Sequence, residues 1–296
     1  MKLFDPTSPD IILISYPSGG FGHFLYYVLT NHASDTVKID DNIFVISDNG
    51  DCHNSKKYTN TYQDSNSYEP TIDDVDTKNK KILVLCDNGI LNDSYERVNK
   101  VFPRAQIVRT VITDKVKPII YQTCVAKAML TDTVTETKAH RDANWSDAEE
   151  PYAIRENFTL LYHNWPFNTW AADNQCINVN LESLITDTFN TIKSLVANLG
   201  MKLVDESNLH TVIKNWRSKN SQYFKIYYTW KEIEQSLTNY QNLDLSGITD
   251  LHDQGYINYR LEKIFNVTIP VYDYKDWFKD TNELITKINE IKYINN

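Results

Sequence analysis

The segment Ile11 to Leu29 reads IILISYPSGGFGHFLYYVL, with an apolar run, a glycine-rich turn and then apolar residues at helical spacing. Ile11 to Ile14 fits a strand buried on both faces, and Phe21, Leu25, Val28 and Leu29 recur as one face of a helix. Gly19, Gly20 and Gly22 lie at the joint. A strand, a glycine turn and a helix start bring several backbone N–H groups and the positive end of a helix dipole to one point, where an anion, most often a phosphate, binds well. Glycines also serve tight turns for conformational reasons alone. The turn lacks the Lys and Ser/Thr that a Walker A loop places after its last glycine, because His23 follows Gly22. It also lacks the third glycine of a dinucleotide fingerprint, since Leu25 stands there.

Elements that would position this turn recur along the chain. IFVIS (43–47), KILVLCDNG (81–89), AQIVRTVIT (105–113) and CINVNL (176–181) read as short strands. Helical patterns lie between and after them: one near 93–103 with Asp93 and Glu96 as its cap, one starting near Asp114, one broken at Pro166, and DTFNTIKSLVANLG closed by Gly200. Strands alternating with helices predict an α/β fold, a doubly wound and mainly parallel sheet with flanking helices. Its ligand site belongs at the carboxyl ends of the strands, where the glycine turn already sits. The polar stretches 48–79 and 131–150 read as lids, loops or insertions. From Met201 onward the pattern is helical and rich in aromatics, Trp216, Tyr223, Tyr227, Tyr228, Trp230 and Tyr240 among them. The expected division is an α/β domain over 1–200 and a helical, aromatic-rich C-terminal extension over 201–296 packed on it.

The composition narrows the classes of function. A chain of 296 residues, 41% hydrophobic and 23% charged, can bury a sizeable core. A net charge of −9 argues against nucleic-acid partners and anionic membranes, while a local basic pocket for a phosphate stays open. The four cysteines, Cys52, Cys86, Cys124 and Cys176, form no C-x-x-C pair, so neither a zinc site nor a disulfide framework is expected, and no metal cofactor. With no signal pattern at the N-terminus and no apolar run long enough to cross a bilayer, the chain reads as cytoplasmic.

Three segments together resemble the sulfotransferase family, a P-loop-related α/β fold that binds 3′-phosphoadenosine 5′-phosphosulfate (PAPS). YPSGGFGHFL (16–25) stands where the family has Y-P-K-S-G-T-T-x-L. VFPRAQIVRTVITD (101–114) is similar to its F-P-x-A-K-x-I-x-x-x-R-x-P, and INVNLESLITDTFNTIKSLVANLG (177–200) to its later strand and helix. The resemblance covers about the first two thirds of the chain, and the order of its motifs carries it. It implies sulfuryl transfer from PAPS to a hydroxyl of a sugar, lipid or small metabolite, with no metal. It places the donor on Pro17, Ser18, Gly19, Gly20, Phe21, Gly22 and His23. Ser18 takes the slot of the family's lysine and Ile112 that of its arginine, so cationic help falls to Arg109, Lys115 or Lys117, each of which also suits a solvated surface. Arg109, three residues before Ile112, would alternate onto the other face of a strand. Asp87, after the strand KILVLC, and His23 are the candidate catalytic bases; Asp87 equally suits a turn cap, and His23 a packed neutral ring. Two other classes stay open: a nucleotide- or phosphate-binding protein without transfer activity, and a structural, for example virus-associated, protein that uses its aromatic tail as an interface.

Overall fold

The computed structural model describes residues 2–3, 7–16, 20–36, 44–46, 52–54, 61–62, 71–72, 80–87, 102–113, 116, 172–249, 251–268 and 277–295. The expected helices near 93–103, after Asp114 and before Cys176 lie outside them, as does the stretch 131–150. The chain divides into two compact units, Met1–Val116 with Phe167–Gln222, and Lys117–Pro166 with Tyr223–Asn296.

The first unit is built on a five-stranded sheet, in the order β5 (Thr61–Tyr62), β7 (Ile82–Asp87), β2 (Ile11–Tyr16), β8 (Gln106–Val111) and β9 (Ile177–Asn180). Every pairing in it is parallel. The central strand β2 is buried along its whole length, as a strand covered on both faces must be, which is why its sequence runs apolar instead of alternating. Two small antiparallel pairs stand apart from this sheet: β1 (Lys2–Leu3) with β6 (Thr71–Ile72), and β3 (Phe44–Ile46) with β4 (Cys52–Asn54). The polar stretch 48–79 therefore supplies β4, β5 and β6. Thr61 and Tyr62 of β5 and Thr71 and Ile72 of β6 are all β-branched or aromatic, types that suit a pleated strand.

Helix α1 (Gly22–His32) follows β2 and buries Phe24, Leu25, Val28 and Leu29. Its C-terminal end is tied to the segment 202–204: the Val204 N–H donates to the His32 carbonyl at 3.0 Å, and the Ser34 N–H to that of Lys202 at 2.7 Å. After β9 come α2 (Leu181–Thr186) and α3 (Thr188–Asn198). Asn180 caps α2 by accepting from the Glu182 N–H at 2.8 Å. Gly200, at φ 71°, ends α3 as the sequence predicts. The Gly200 N–H returns to Ala197 and the Met201 N–H to Val196, the paired bonds of a Schellman cap. Helix α4 (Glu206–Lys219) is fastened to the α2–α3 joint by Arg217, which donates to the Ile185 carbonyl and, at 3.0 Å, to the Thr188 hydroxyl.

In the second unit the described elements are helical: most of α5 (Ser221–Asn239), then α6 (Leu251–Phe265) and α7 (Thr281–Asn295). The segment 241–245 is bonded to the start of α7, where Thr281 is fully buried, accepts from the Leu243 N–H at 2.9 Å and donates to the Gln241 carbonyl at 3.1 Å. On α6, Asn258 is buried and neither atom of its amide meets a hydrogen-bond partner. A buried polar group left unpaired costs about 1–3 kcal/mol, so Asn258→Leu, similar in volume, should raise the thermal unfolding midpoint. A lowered midpoint would show that the amide is held by solvent. Among the described residues no helix is long and apolar enough to cross a membrane.

Candidate anion-binding site

Counted along the chain, the five parallel strands stand in the order second, third, first, fourth, fifth. From β2 the chain therefore leaves toward β5 on one side, and from its neighbour β8 toward β9 on the other. Adjacent strands whose connections part in this way form a topological switch point, and ligands of open α/β sheets bind at the carboxyl ends there. The glycine turn follows β2 at this place. The order differs from that of dinucleotide-binding sheets, where the second and third strands are exchanged.

Within the turn, Pro17, Ser18 and Gly19 lie outside the described residues. Gly20 is buried, and its carbonyl accepts from the Thr110 hydroxyl of β8 at 3.4 Å. Phe21 then turns into the left-handed region at φ 56° and ψ 26°. For a residue with a side chain this costs about 1–2 kcal/mol, so the surroundings must hold it. Gly22 opens α1 against the ring of Tyr16, and a Cβ there would lie 2.0 Å from Tyr16 Cδ1 and 2.1 Å from Cγ. Only glycine fits. The Leu25 N–H makes the first intrahelical bond, to the Phe21 carbonyl at 3.1 Å. The N–H groups of residues 22 to 24 belong to the turn that a helix leaves without intrahelical acceptors, and Phe21 supplies no capping side chain to them.

His23 is half-buried in that first turn, its Nε2 3.4 Å from Tyr16 Oη and the two rings edge to face at 5.5 Å. Asp87 is the last residue of β7 and pairs in register with Tyr16, so the main chain brings both candidate bases to the strand ends beside the turn. Arg109 is placed differently. It pairs with Ser15, one residue earlier, and successive strand residues face opposite sides, so Arg109 lies across the sheet from Thr110 and the turn. There its guanidinium stands 3.9 Å from the Asp173 carboxylate and beside the Cys176 thiol. Ile112, in the slot that corresponds to the arginine of the resemblance, is buried. Lys115 and Lys117 lie outside the described residues.

Burial first, and the Asp173 carboxylate second, push the Cys176 thiol up to about 11, against the opposing pull of Arg109. The thiol stays protonated at neutral pH, and the thiolate is the nucleophile. Alkylation of Cys176 by iodoacetamide, followed by peptide mass spectrometry, should be slow near neutrality and accelerate as pH rises toward about 11. Asp173→Asn removes a group that raises the pKa and should speed the reaction at any fixed pH. Equal rates in the two proteins would show that the carboxylate does not act on the thiol.

A groove of about 390 Å³ runs beside β9, lined by residues of β9, α2 and α3 and by none of the glycine turn. Several of its polar groups are already engaged: Asn178 bonds the 173–176 segment, Asn180 caps α2, and Asn190 donates to Asp187. We therefore place the candidate site at the turn. Among the described residues no group of His, Cys, Asp and Glu is arranged to hold a metal ion.

The motifs assign no role to three residues that shape the site. Tyr16 walls the first turn of α1, Thr110 fastens the Gly20 carbonyl, and Trp216 of α4 packs on Phe21 and Phe24. A hydroxyl inside the apolar strand QIVRTV was the one available signal for Thr110. Compared with protein-family models, with curated proteins and with solved structures, the chain finds no match.

Proposed function

We propose that the chain is a sulfotransferase-like protein that binds the phosphate end of PAPS at residues 17–23 and transfers its sulfuryl group to a hydroxyl of a sugar, lipid or small metabolite in the cytoplasm. The observation that carries this reading is the position of the glycine turn, at the carboxyl end of the central parallel strand and at the switch point of the sheet. The finer form of the fold that goes with it is a doubly wound sheet with helices on both faces. In the transfer, the acceptor O–H gives its proton to Asp87 or His23, the acceptor oxygen bonds to sulfur, and the bond from sulfur to the bridging phosphate oxygen breaks. The leaving adenosine 3′,5′-bisphosphate keeps that electron pair. Its charge falls on the N–H groups of the turn, and losing one such preorganised donor typically costs about 2.7–4 kcal/mol of transition-state stabilisation. Donors of this kind stand in part for the absent lysine.

A second reading, a phosphate-binding protein without transfer activity, draws on a specific observation. Ile112 is buried and apolar, and the Arg109 guanidinium faces Asp173 across the sheet. Calorimetric titration with adenosine 3′,5′-bisphosphate and with adenosine 5′-phosphate tests both readings, followed by assay of sulfuryl transfer from PAPS to a panel of hydroxyl acceptors. Binding of the bisphosphate with turnover supports the first, and binding without turnover the second. Because no arginine fork stands at Ile112, the preference for the bisphosphate should stay below a hundredfold, about 2.7 kcal/mol. A larger preference would mean that another cation serves the 3′-phosphate.

A further inference from the structure

We propose that Trp216 is a positioning residue for the glycine turn, holding Phe21 in its left-handed conformation so that the N–H groups of residues 21 to 23 converge; this deepens, and rests on, the anion-binding reading of that turn. The argument starts from Phe21. Aromatic residues seldom adopt φ near 56°, and nothing in the local sequence favours it there, so a tertiary contact has to hold it. The Phe21 ring meets the Trp216 ring edge to face, with centroids 5.0 Å apart and planes at 86°. That geometry suits the aromatic quadrupoles.

Trp216 is itself fixed. It is 1% exposed and lies stacked on Phe24, centroids 3.9 Å apart and planes 5° from parallel. Its own carbonyl accepts from the Asn220 side chain at 2.8 Å, and its neighbour Arg217 bonds the α2–α3 joint. One indole from α4 thus grips α1 on both sides of Gly22, at Phe21 before it and at Phe24 after it. The consequence lies in the main chain. A left-handed residue followed by a helical one turns successive N–H groups toward a common point, the concavity that binds anions. Returning Phe21 to an ordinary φ would rotate the peptide planes on either side and disperse those donors.

The test uses the full chain and two readouts. NMR couplings in the ligand-free protein report the sign of φ at residue 21, and calorimetry reports binding of adenosine 3′,5′-bisphosphate. Phe21→Leu breaks the ring contact from the turn, at a half-buried position that leaves the core intact, and Trp216→Leu breaks it from α4. Both should bring residue 21 to a negative φ and weaken binding by about tenfold, 1.4 kcal/mol. Phe21→Tyr and Trp216→Phe keep an aromatic pair and should retain positive φ and an affinity close to that of the unmodified chain. If Trp216→Leu does not fold, Phe21→Leu decides alone. A positive φ in Phe21→Leu overturns the proposal, as does unchanged affinity in that variant. If φ follows the aromatic contact as expected while the unmodified chain binds no bisphosphate, the positioning role stands and the anion-binding reading falls.

Discussion

Gly22→Ala is expected to destabilise the protein by about 3 kcal/mol, the upper end of what an extra methyl in a packed interior costs. The added carbon would lie 2.0 Å from the ring of Tyr16, a side chain 3% exposed at the end of the central strand. The ring cannot swing aside cheaply, since its Oη also sits 3.4 Å from His23 Nε2. Chemical denaturation of the single variants and of Tyr16→Ala/Gly22→Ala checks the cause. If the clash with the ring is responsible, alanine at position 22 should cost far less once position 16 is also alanine, because residues in contact do not add independently. An equal cost in both backgrounds would show that Gly22 is required for the backbone alone. The same experiment bears on function. A glycine demanded by Tyr16 has a packing reason to be there, and Gly22 is then no argument for an anion, whereas the left-handed conformation of Phe21 is untouched by that result.

How far the sequence can be read follows from which interactions are local. The strand β2 announces itself as an apolar run, and Gly200 as a helix end, because burial of a whole strand and the left-handed cap leave their mark on consecutive residues. The glycine turn was legible for the same reason. The order of the strands was not, since nothing within IILISY says that its neighbours begin at residues 82 and 106. The direction of Arg109 follows from strand alternation and was anticipated. Its company, Asp173 and Cys176, was not, for those residues meet it only through the pairing of β8 with β9. Trp216 shows the same limit most plainly. Its spacing marks it as a helical packing residue, and only the tertiary fold brings it to Phe21, 195 positions earlier (216 − 21).

The last expectation concerns the proton. If the chain transfers a sulfuryl group, the acceptor hydroxyl must lose its hydrogen to a side chain beside the glycine turn. The fold brings two candidates to that end of the sheet, Asp87 opposite Tyr16 in the β2–β7 register and His23 in the first turn of α1. They differ in how they would serve. His23 contacts Tyr16 Oη, which orients the ring, and its imidazole can accept a hydroxyl proton. A carboxylate at Asp87 would need partial burial to raise its basicity. Asp87→Asn and His23→Ala separate them when product formation and bisphosphate binding are measured on the same protein. The true base should lose about 10²–10⁴-fold in turnover while donor affinity hardly moves. A loss of affinity with turnover kept at saturation would instead make the residue a ligand of the donor, the role that its place beside the helix N-terminus also suits His23 to play. Full turnover in both variants removes these two side chains from the chemistry.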